Sequence, residues 1–203
     1  MRPRSCADFG NRPDVTSTEK LTFHPISRAD FGLLGEWLVT PHVARWWADD
    51  PSAAAVEADY GGCVDGTEAA EVFIASLDAR PVGLIQRYRL DDYPQYIEEL
   101  AALMAVPATA YSVDFFLGPA DVLGQGLGSR MISAFTSRLW QDDPGASCVI
   151  VPTNALNRAS WRSLESAGFV RVASGDLTPD NPIDDPAHFI YRIDRPGAAV
   201  NLA

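Results

Sequence analysis

A glycine-rich segment between a predicted strand and a predicted helix constrains this chain more than any other feature. Residues 111–117 alternate as a strand does, and Gly124, Gly126 and Gly128 follow in a short loop. Apolar residues spaced by four then predict a helix over residues 126–141. Such a loop presents unpaired backbone N–H groups at a helix start, and the absence of Cβ atoms lets an anion approach closely. The segment therefore predicts a pyrophosphate-binding loop.

The order of residues in this loop excludes two common nucleotide-binding motifs. The loop has no Gly-Lys-Ser/Thr, which a P-loop requires. A dinucleotide-binding fold would place the loop after its first strand, with an acidic residue about 20 positions further on. The sequence therefore indicates a different phosphate-bearing cofactor.

Composition and charge narrow the class of protein further. With 203 residues, 47% of them apolar, the chain is long enough for one domain with a sizeable core. The formal net charge of -11 argues against nucleic acid as a partner and favours a small cationic ligand. The three cysteines and three histidines lack metal-binding spacing, so no metal is expected. No stretch has the pattern of a membrane span or a signal peptide, and we expect a cytoplasmic protein with no membrane partner.

The pattern along the chain predicts one α/β domain over residues 21–195, with a flexible extension (1–20) before it and a tail (196–203) after it. Predicted strands cover residues 21–26, 71–77, 81–90, 111–117, 147–151, 169–173 and 188–193. Predicted helices begin near residue 31, ended by Pro41, and cover 52–60, broken by Gly61-Gly62, then 126–141 and 157–167. Loops are predicted for the aromatic segment 45–51 and for 91–110, the latter with at most one helical turn near 97–102.

Two blocks of the chain resemble the GNAT superfamily of N-acetyltransferases. The loop Leu123-Gly-Gln-Gly-Leu-Gly128 is similar to the family's Arg/Gln-x-x-Gly-x-Gly/Ala loop, with Leu123 where the family prefers Arg or Gln. The segment from Asn157 to Phe169 resembles the family's Asn-x-x-Ala-x-x-x-Tyr-x-x-x-Gly-Phe block. Residues 31–47 look most like the aminoglycoside 6'-N-acetyltransferase branch.

This resemblance implies a GNAT-type fold, with a mixed, mostly antiparallel sheet of about seven strands that splays at its centre and about four flanking helices. It implies acetyl-CoA as cosubstrate, with the pyrophosphate on the glycine loop and the pantetheine beside the splayed strand. The cofactor-binding residues expected from it are Phe116, Leu117, Gly124, Gln125, Gly126, Leu127, Gly128, Ser129 and Asn157. The implied activity is acetylation of an aminoglycoside amino group by direct transfer in a ternary complex.

Asp114 is the expected general base. An acid in the middle of an otherwise apolar strand is costly to bury unless it is used, and the corresponding Asp of the aminoglycoside branch has this role. For the substrate we expect aromatic rings, which stack on sugars, together with carboxylates, which pair with ammonium groups. These expected residues are Trp46, Trp47, Asp91, Asp92, Tyr93, Glu98 and Glu99. The expected partner is a small cationic amino-sugar, and the expected assembly is a monomer or homodimer.

Two departures from the family pattern leave alternatives open. Leu164 stands where the family has a thiolate-protonating Tyr, so water or another hydroxyl, such as that of Tyr191, has to supply the proton. Pro152 stands where many relatives have an acid that meets the amino-sugar. Acetylation at the 2' nitrogen, as in kasugamycin-like compounds, therefore stays open beside acetylation at the 6' nitrogen.

Two other functions also stay open. A GNAT acyltransferase acting on a siderophore intermediate or a protein N-terminus would keep the fold and change the acceptor. A non-catalytic acyl-CoA-binding sensor would account for Leu164. The sequence favours the enzyme, because Asp114 and an acidic aromatic segment would be idle in a sensor.

Overall fold

The structure, a computed structural model, describes residues 20–179, 181 and 183–197. The predicted extension (1–20) and tail (196–203) fall outside that part of the chain, except for residues 20, 196 and 197. The described residues form one seven-stranded sheet with helices on both faces. This confirms the predicted α/β fold class.

The sheet is mixed and mostly antiparallel, as predicted. Its strands are β1 Leu21–Pro25, β2 Glu71–Leu77, β3 Arg80–Arg89, β4 Tyr111–Leu117, β5 Cys148–Asn154, β6 Val170–Asp176 and β7 Ala187–Asp194. They are arranged in the order β1-β2-β3-β4-β5-β7-β6. Every neighbouring pair is antiparallel except β4 and β5, which run parallel.

Six α-helices are found in the described part of the chain, where about four were predicted. They are α1 Phe31–Leu38, α2 Pro41–Trp47, α3 Ala53–Asp65, α4 Pro94–Ala101, α5 Leu127–Asp142 and α6 Arg158–Ser166. Pro41 begins α2, because a proline in the first turn lacks only an N–H group that would be unpaired anyway. Trp46 and Trp47 therefore end a helix instead of lying in the predicted aromatic loop.

The predictions for α3 and α4 were also wrong. α3 continues through Gly61-Gly62, because its residues Val56 and Tyr60 are buried against α1 and the sheet. That burial outweighs the roughly 1 kcal/mol that each helical glycine costs. α4 occupies part of the predicted loop 91–110, and its buried Leu100 packs against the sheet with Ile150 of β5.

Two apolar layers cover the two faces of the sheet. On one face, Tyr111 and Val113 of β4 pack with Phe135 of α5. On the other face, Phe116 packs with the α1–α3 layer. Because side chains alternate along a strand, Asp114 shares the face of Phe116, as predicted.

The sheet opens between β4 and β5. Strands β3 and β4 pair along their length, from Gly83 with Leu117 to Arg89 with Tyr111. In contrast, β4 and β5 share one register pair among the described residues, Tyr111 with Val149. The predicted splay is therefore present, and it lies along the strand that carries Asp114.

Candidate active site

The glycine loop connects β4 to α5 and has the backbone geometry of an anion site. Gly124 and Gly126 have φ angles of 72° and 75°, a region that glycine adopts without strain. Gly126 is the N-cap of α5, so the N–H groups of Leu127, Gly128 and Ser129 have no intrahelical acceptors. A pyrophosphate fits the donors at this open helix start.

Side-chain hydrogen bonds hold this loop in place. Gln125 Nε2 donates to the Asp121 carbonyl at 2.6 Å, and Ser129 Oγ donates to the Gly126 carbonyl at 2.8 Å. Asp121 also pairs with Arg80 at 2.8 Å. The side chains of Gln125 and Ser129 therefore stabilise the loop itself.

The end of β4 is fixed from the α1–α2 side. The Phe116 ring is buried at 7% exposure and packs edge-on against Trp37 and Trp47, with ring centroids 6.1 and 4.8 Å away. His42 Nε2 donates to the Leu117 carbonyl at 2.7 Å. Phe116 is opposite Leu84, and the bonds from the Leu90 N–H to the Ala110 carbonyl and from the Gly118 N–H to the Val82 carbonyl show that this alternate set of β4 residues directs its backbone groups to β3. The backbone groups of Leu117 face the opening between β4 and β5 instead.

Asp114 lies where two clefts meet. Gln86, its register partner on β3, donates from Nε2 to Asp114 Oδ2 at 2.8 Å. The larger cleft has a volume of about 460 Å³. The smaller has a volume of about 120 Å³. Tyr96, Pro152 and His188 line both clefts together with Asp114, so the two clefts adjoin at the carboxylate.

The larger cleft brings together predicted residues and unpredicted acids. Trp46 and Trp47 line it, as predicted. Three carboxylates that the sequence analysis missed also line it: Asp49, Asp59 and Asp184. The position of Asp49, two residues after Trp47, is a usable sequence signal, whereas nothing in the sequence connects Asp184 with Asp114.

Tyr60 lies among the carboxylates that line the larger cleft. Its hydroxyl lies 3.5 Å from Asp49 Oδ2, and its ring is buried at 5% exposure. Burial, together with the nearby carboxylates of Asp49, Asp59 and Asp114, raises the pKa of Tyr60 above its ordinary value. The site is therefore a region of negative potential, which suits a cationic ligand.

Most of the acids predicted to bind substrate are elsewhere. Neither cleft is lined by Asp91, Asp92, Tyr93 or Glu98, whereas Glu99 lines the smaller cleft. Asp91 lies 3.8 Å from Arg89 and accepts a hydrogen bond from the Thr109 N–H. Tyr93 stacks on Tyr96, with ring centroids 5.5 Å apart, so it packs against a residue that lines both clefts.

The smaller cleft contains an unsatisfied hydroxyl. Ser112, on the same face of β4 as Asp114, is fully buried and lines this cleft. Its Oγ has no hydrogen-bond partner among the described residues. A buried hydroxyl in this state is destabilising by about 1–3 kcal/mol unless water or a ligand bonds to it.

Asn157 has a structural role that is compatible with the predicted one. Its side chain caps α6 by accepting a hydrogen bond from the Ser160 N–H at 3.2 Å. The same residue lines the larger cleft. A capping amide at a cleft wall can therefore also meet a ligand.

The relocation of the missing acid to Tyr191 is contradicted by the structure. Leu164 and Tyr191 are both fully buried in the core between the sheet and the α5–α6 layer. The Tyr191 hydroxyl donates to Glu165 Oε1 at 2.9 Å. Burial and the Glu165 carboxylate raise the pKa of Tyr191 to about 12, which makes it a weaker proton donor. Neither side chain lines a cleft.

Comparisons with known proteins identify the class of this fold and site. Residues 27–177 match the acetyltransferase (GNAT) domain family. Aminoglycoside N(6')-acetyltransferase type 1 of Klebsiella pneumoniae is 29% identical over 172 residues, covering 83% of this chain and 82% of the relative. The chain belongs to the GNAT acetyltransferases, and it is an enzyme of the N-acetyltransferase class.

Solved structures give the same placement. Aminoglycoside acetyltransferase AAC(6')-Ib in complex with coenzyme A has a TM-score of 0.73 and 26% identity, covering 87% of this chain and 95% of that one. The complex of that enzyme with coenzyme A and kanamycin has a TM-score of 0.72 and 27% identity, with the same coverage. In the part of this chain that the structure describes, no helix is long and apolar enough to cross a membrane, and no three His, Cys, Asp or Glu residues are grouped to hold a metal.

Proposed function

We propose that this enzyme acetylates an amino group of an aminoglycoside, using acetyl-CoA, by direct transfer in a ternary complex. The observation that carries the proposal is the position of Asp114, at the opening between β4 and β5 and at the junction of two acid-lined clefts. The two substrates would therefore meet at one carboxylate beside the opening in the sheet.

The cosubstrate would lie along the opening and the glycine loop. The α5 start at Gly126 supplies backbone donors for the pyrophosphate. The β4 residues whose backbone groups face the opening, Phe115 and Leu117, would meet the pantetheine amides, and a backbone N–H there would stabilise the oxyanion. Asn157 would contact the pantetheine from the start of α6.

Asp114 would act on the amine. An ammonium group has to lose a proton before it can attack a thioester, and a positioned carboxylate accelerates such a step by roughly 10² to 10⁴. The Gln86 hydrogen bond occupies Oδ2 and fixes the orientation of the carboxylate. With Leu164 in the core, the departing thiolate would take its proton from water, which suits a leaving group that is stable near neutral pH.

The acceptor class follows from the cleft walls. Trp46 and Trp47 offer aromatic surface for a sugar ring, while Asp49 and Asp59 offer charge for additional ammonium groups. A siderophore intermediate or a protein N-terminus would offer a single amine and would make no use of these additional negative charges. The related proteins support the same class, because they are aminoglycoside N(6')-acetyltransferases.

The test is a panel of acceptors with acetyl-CoA. We expect turnover with at least one of kanamycin, ribostamycin or kasugamycin, and mass spectrometry of the product then locates the acetylated nitrogen. Hydroxylysine and a short peptide with a free N-terminus serve as acceptors of the competing classes. Turnover confined to these two would overturn the proposal, and thioester binding with no transfer to any amine would favour the sensor.

A further inference from the structure

An ion pair connects two walls of the larger cleft. Arg45 of α2 places Nη1 2.6 Å from Oδ1 of Asp184, in the connection between β6 and β7. Asp184 lines the cleft and its side chain is only 5% exposed, whereas the Arg45 side chain is 44% exposed. A carboxylate buried to this extent needs a cation, and in this structure the protein itself supplies it.

The ion pair with Arg45 compensates the charge of Asp184 but gives Asp184 Oδ1 no hydrogen bond. Its distance is that of an ion pair, but Asp184 Oδ1 accepts no hydrogen bond from the described residues. A cation whose N–H groups point at this oxygen would therefore be a better partner than Arg45. An ammonium group, with three rotatable donors, meets that condition easily.

Arg45 contacts Trp46 while it pairs with Asp184. Its guanidinium carbon lies 4.2 Å from the centroid of the half-buried Trp46 ring, so a cation at this position meets both an aromatic face and a carboxylate. Because 44% of its side chain is exposed, Arg45 can be rehydrated when another cation takes its place at the carboxylate. Asp184, in contrast, has no such access to water.

We propose that Asp184 is an ammonium subsite of the acceptor cleft and that Arg45 is an internal cation which a substrate ammonium group displaces. This rests on the proposed function, and it adds a residue that sets specificity for acceptors with several ammonium groups. Arg45 then opposes substrate binding even though it contacts the binding carboxylate. A purely structural ion pair would have the opposite effect, because its loss would disorder the cleft wall.

The test measures binding without turnover. Calorimetry titrates kanamycin into the protein saturated with coenzyme A, so that no acetyl group can be transferred. We expect Arg45→Gln to lower the Kd for kanamycin about three- to tenfold, and Asp184→Asn to raise it by a similar factor. In the Asp184→Asn background, Arg45→Gln should change the Kd less than about twofold, because the two residues act on one subsite.

Two controls separate this effect from net charge and from folding. Arg28 is also ion-paired, its side chain is 46% exposed, and it lines neither cleft, so Arg28→Gln removes the same charge elsewhere. It should leave the Kd within about twofold of wild type, as should Arg45→Lys, which retains the cation. Thermal unfolding of each variant checks that the fold is intact.

The outcomes distinguish this inference from the proposed function. Weaker or unchanged kanamycin binding by Arg45→Gln would overturn the displacement, as would a gain that persists with Asp184→Asn or appears with Arg28→Gln. In those cases acetylation by the wild-type protein would still support the proposed function. If the wild-type protein neither binds nor acetylates kanamycin or the other aminoglycosides of the panel, both proposals fail together.

Discussion

Gln86 and Asp114 lie directly opposite each other on β3 and β4, and the Gln86 amide donates a 2.8 Å hydrogen bond to the Asp114 carboxylate. The Gln86 amide therefore orients the Asp114 carboxylate. Strand β3, which carries Gln86, is paired on both sides, whereas β4, which carries Asp114, is paired along its length only with β3. Because Gln86 also lines the larger cleft, it borders the space that the acceptor would occupy.

Replacing the acid by its amide tests the proposed base. Asp114→Asn keeps the shape of the side chain but removes its charge and basicity. We expect turnover to fall by about 10² or more, mostly in kcat/KM for the amine, while coenzyme A affinity stays the same. Steady-state kinetics and calorimetry measure the two effects. A pH–rate profile equal to that of wild type in height and shape would place the base elsewhere.

Removing the amide donor tests the hydrogen-bonded pair of Gln86 and Asp114. Gln86→Leu leaves Asp114 in place but without the hydrogen bond that orients it, so we expect kcat/KM for the amine to fall about tenfold. In an Asp114→Asn background the same substitution should lower kcat/KM by less than about a further twofold, because that variant has no base left to orient. Additive losses in the double variant would show that Gln86 acts on the substrate independently of Asp114.

The glycine loop can be tested with a matched glycine elsewhere. Gly126→Ala forces alanine into a φ of 75°, and Gly66→Ala forces it into a φ of 70° at the end of α3. Both should lose about 1–2 kcal/mol of unfolding free energy. Only Gly126→Ala should also weaken coenzyme A binding, by about tenfold, because its Cβ would enter the anion site. Equal coenzyme A affinities in the two folded variants would argue against the loop assignment.

The cleft acids can be separated from the acids of the 91–99 segment. Asp49→Asn/Asp59→Asn removes two charges from the larger cleft, and Asp92→Asn/Glu98→Gln removes two from exposed positions that line neither cleft. We expect the first pair to raise KM for kanamycin several-fold and to flatten its salt dependence. The second pair should change KM less than about twofold. Similar KM values for both double variants would mean that only total charge matters.

The position of Tyr191 predicts that its hydroxyl is dispensable. Tyr191→Phe removes a hydrogen bond from the buried tyrosine to the exposed residue Glu165 and should cost about 1 kcal/mol or less of unfolding free energy. Because the ring lines neither cleft, kcat should stay within about threefold of wild type. Denaturant unfolding and steady-state kinetics measure the two quantities. Loss of most of the activity in a stable variant would restore Tyr191 as the acid.

The elements nearest to the glycine loop could be predicted from sequence, because their signals are local. Strand β4, the loop and α5 are contiguous, and the alternation along β4 correctly placed Asp114 on the face opposite Val113. Pro41 predicts the end of α1 but gives no indication that α2 begins there, because proline is compatible both with the end of one helix and with the first turn of the next. The Gly61-Gly62 pair was misread because packing of α3 against the sheet is not visible in the local sequence.

The substrate wall could not be predicted in the same way. The prediction that the acids at 91, 92 and 98 bind substrate depends on the acidic composition of their segment and on its position before β4. Neither property determines where a side chain lies. Asp59 and Asp184 reach the cleft from α3 and from the β6–β7 connection, which are far from Asp114 in sequence and close only after the sheet has formed. Long-range contacts of this kind follow from topology, which one sequence does not specify residue by residue.

The single backbone pair between β4 and β5 also bears on how the molecule holds together. In terms of continuous hydrogen-bonded ladders, the sheet is a four-stranded half and a three-stranded half that meet at Tyr111 and Val149. The side chains packed across the seam, among them Val113, Phe135 and Val151, keep the halves together. A ligand that forms hydrogen bonds with both β4 and β5 would replace the missing interstrand hydrogen bonds. Because it binds only the folded protein, it would raise the melting temperature. The enzyme would then be least stable to unfolding when no ligand occupies the opening between β4 and β5.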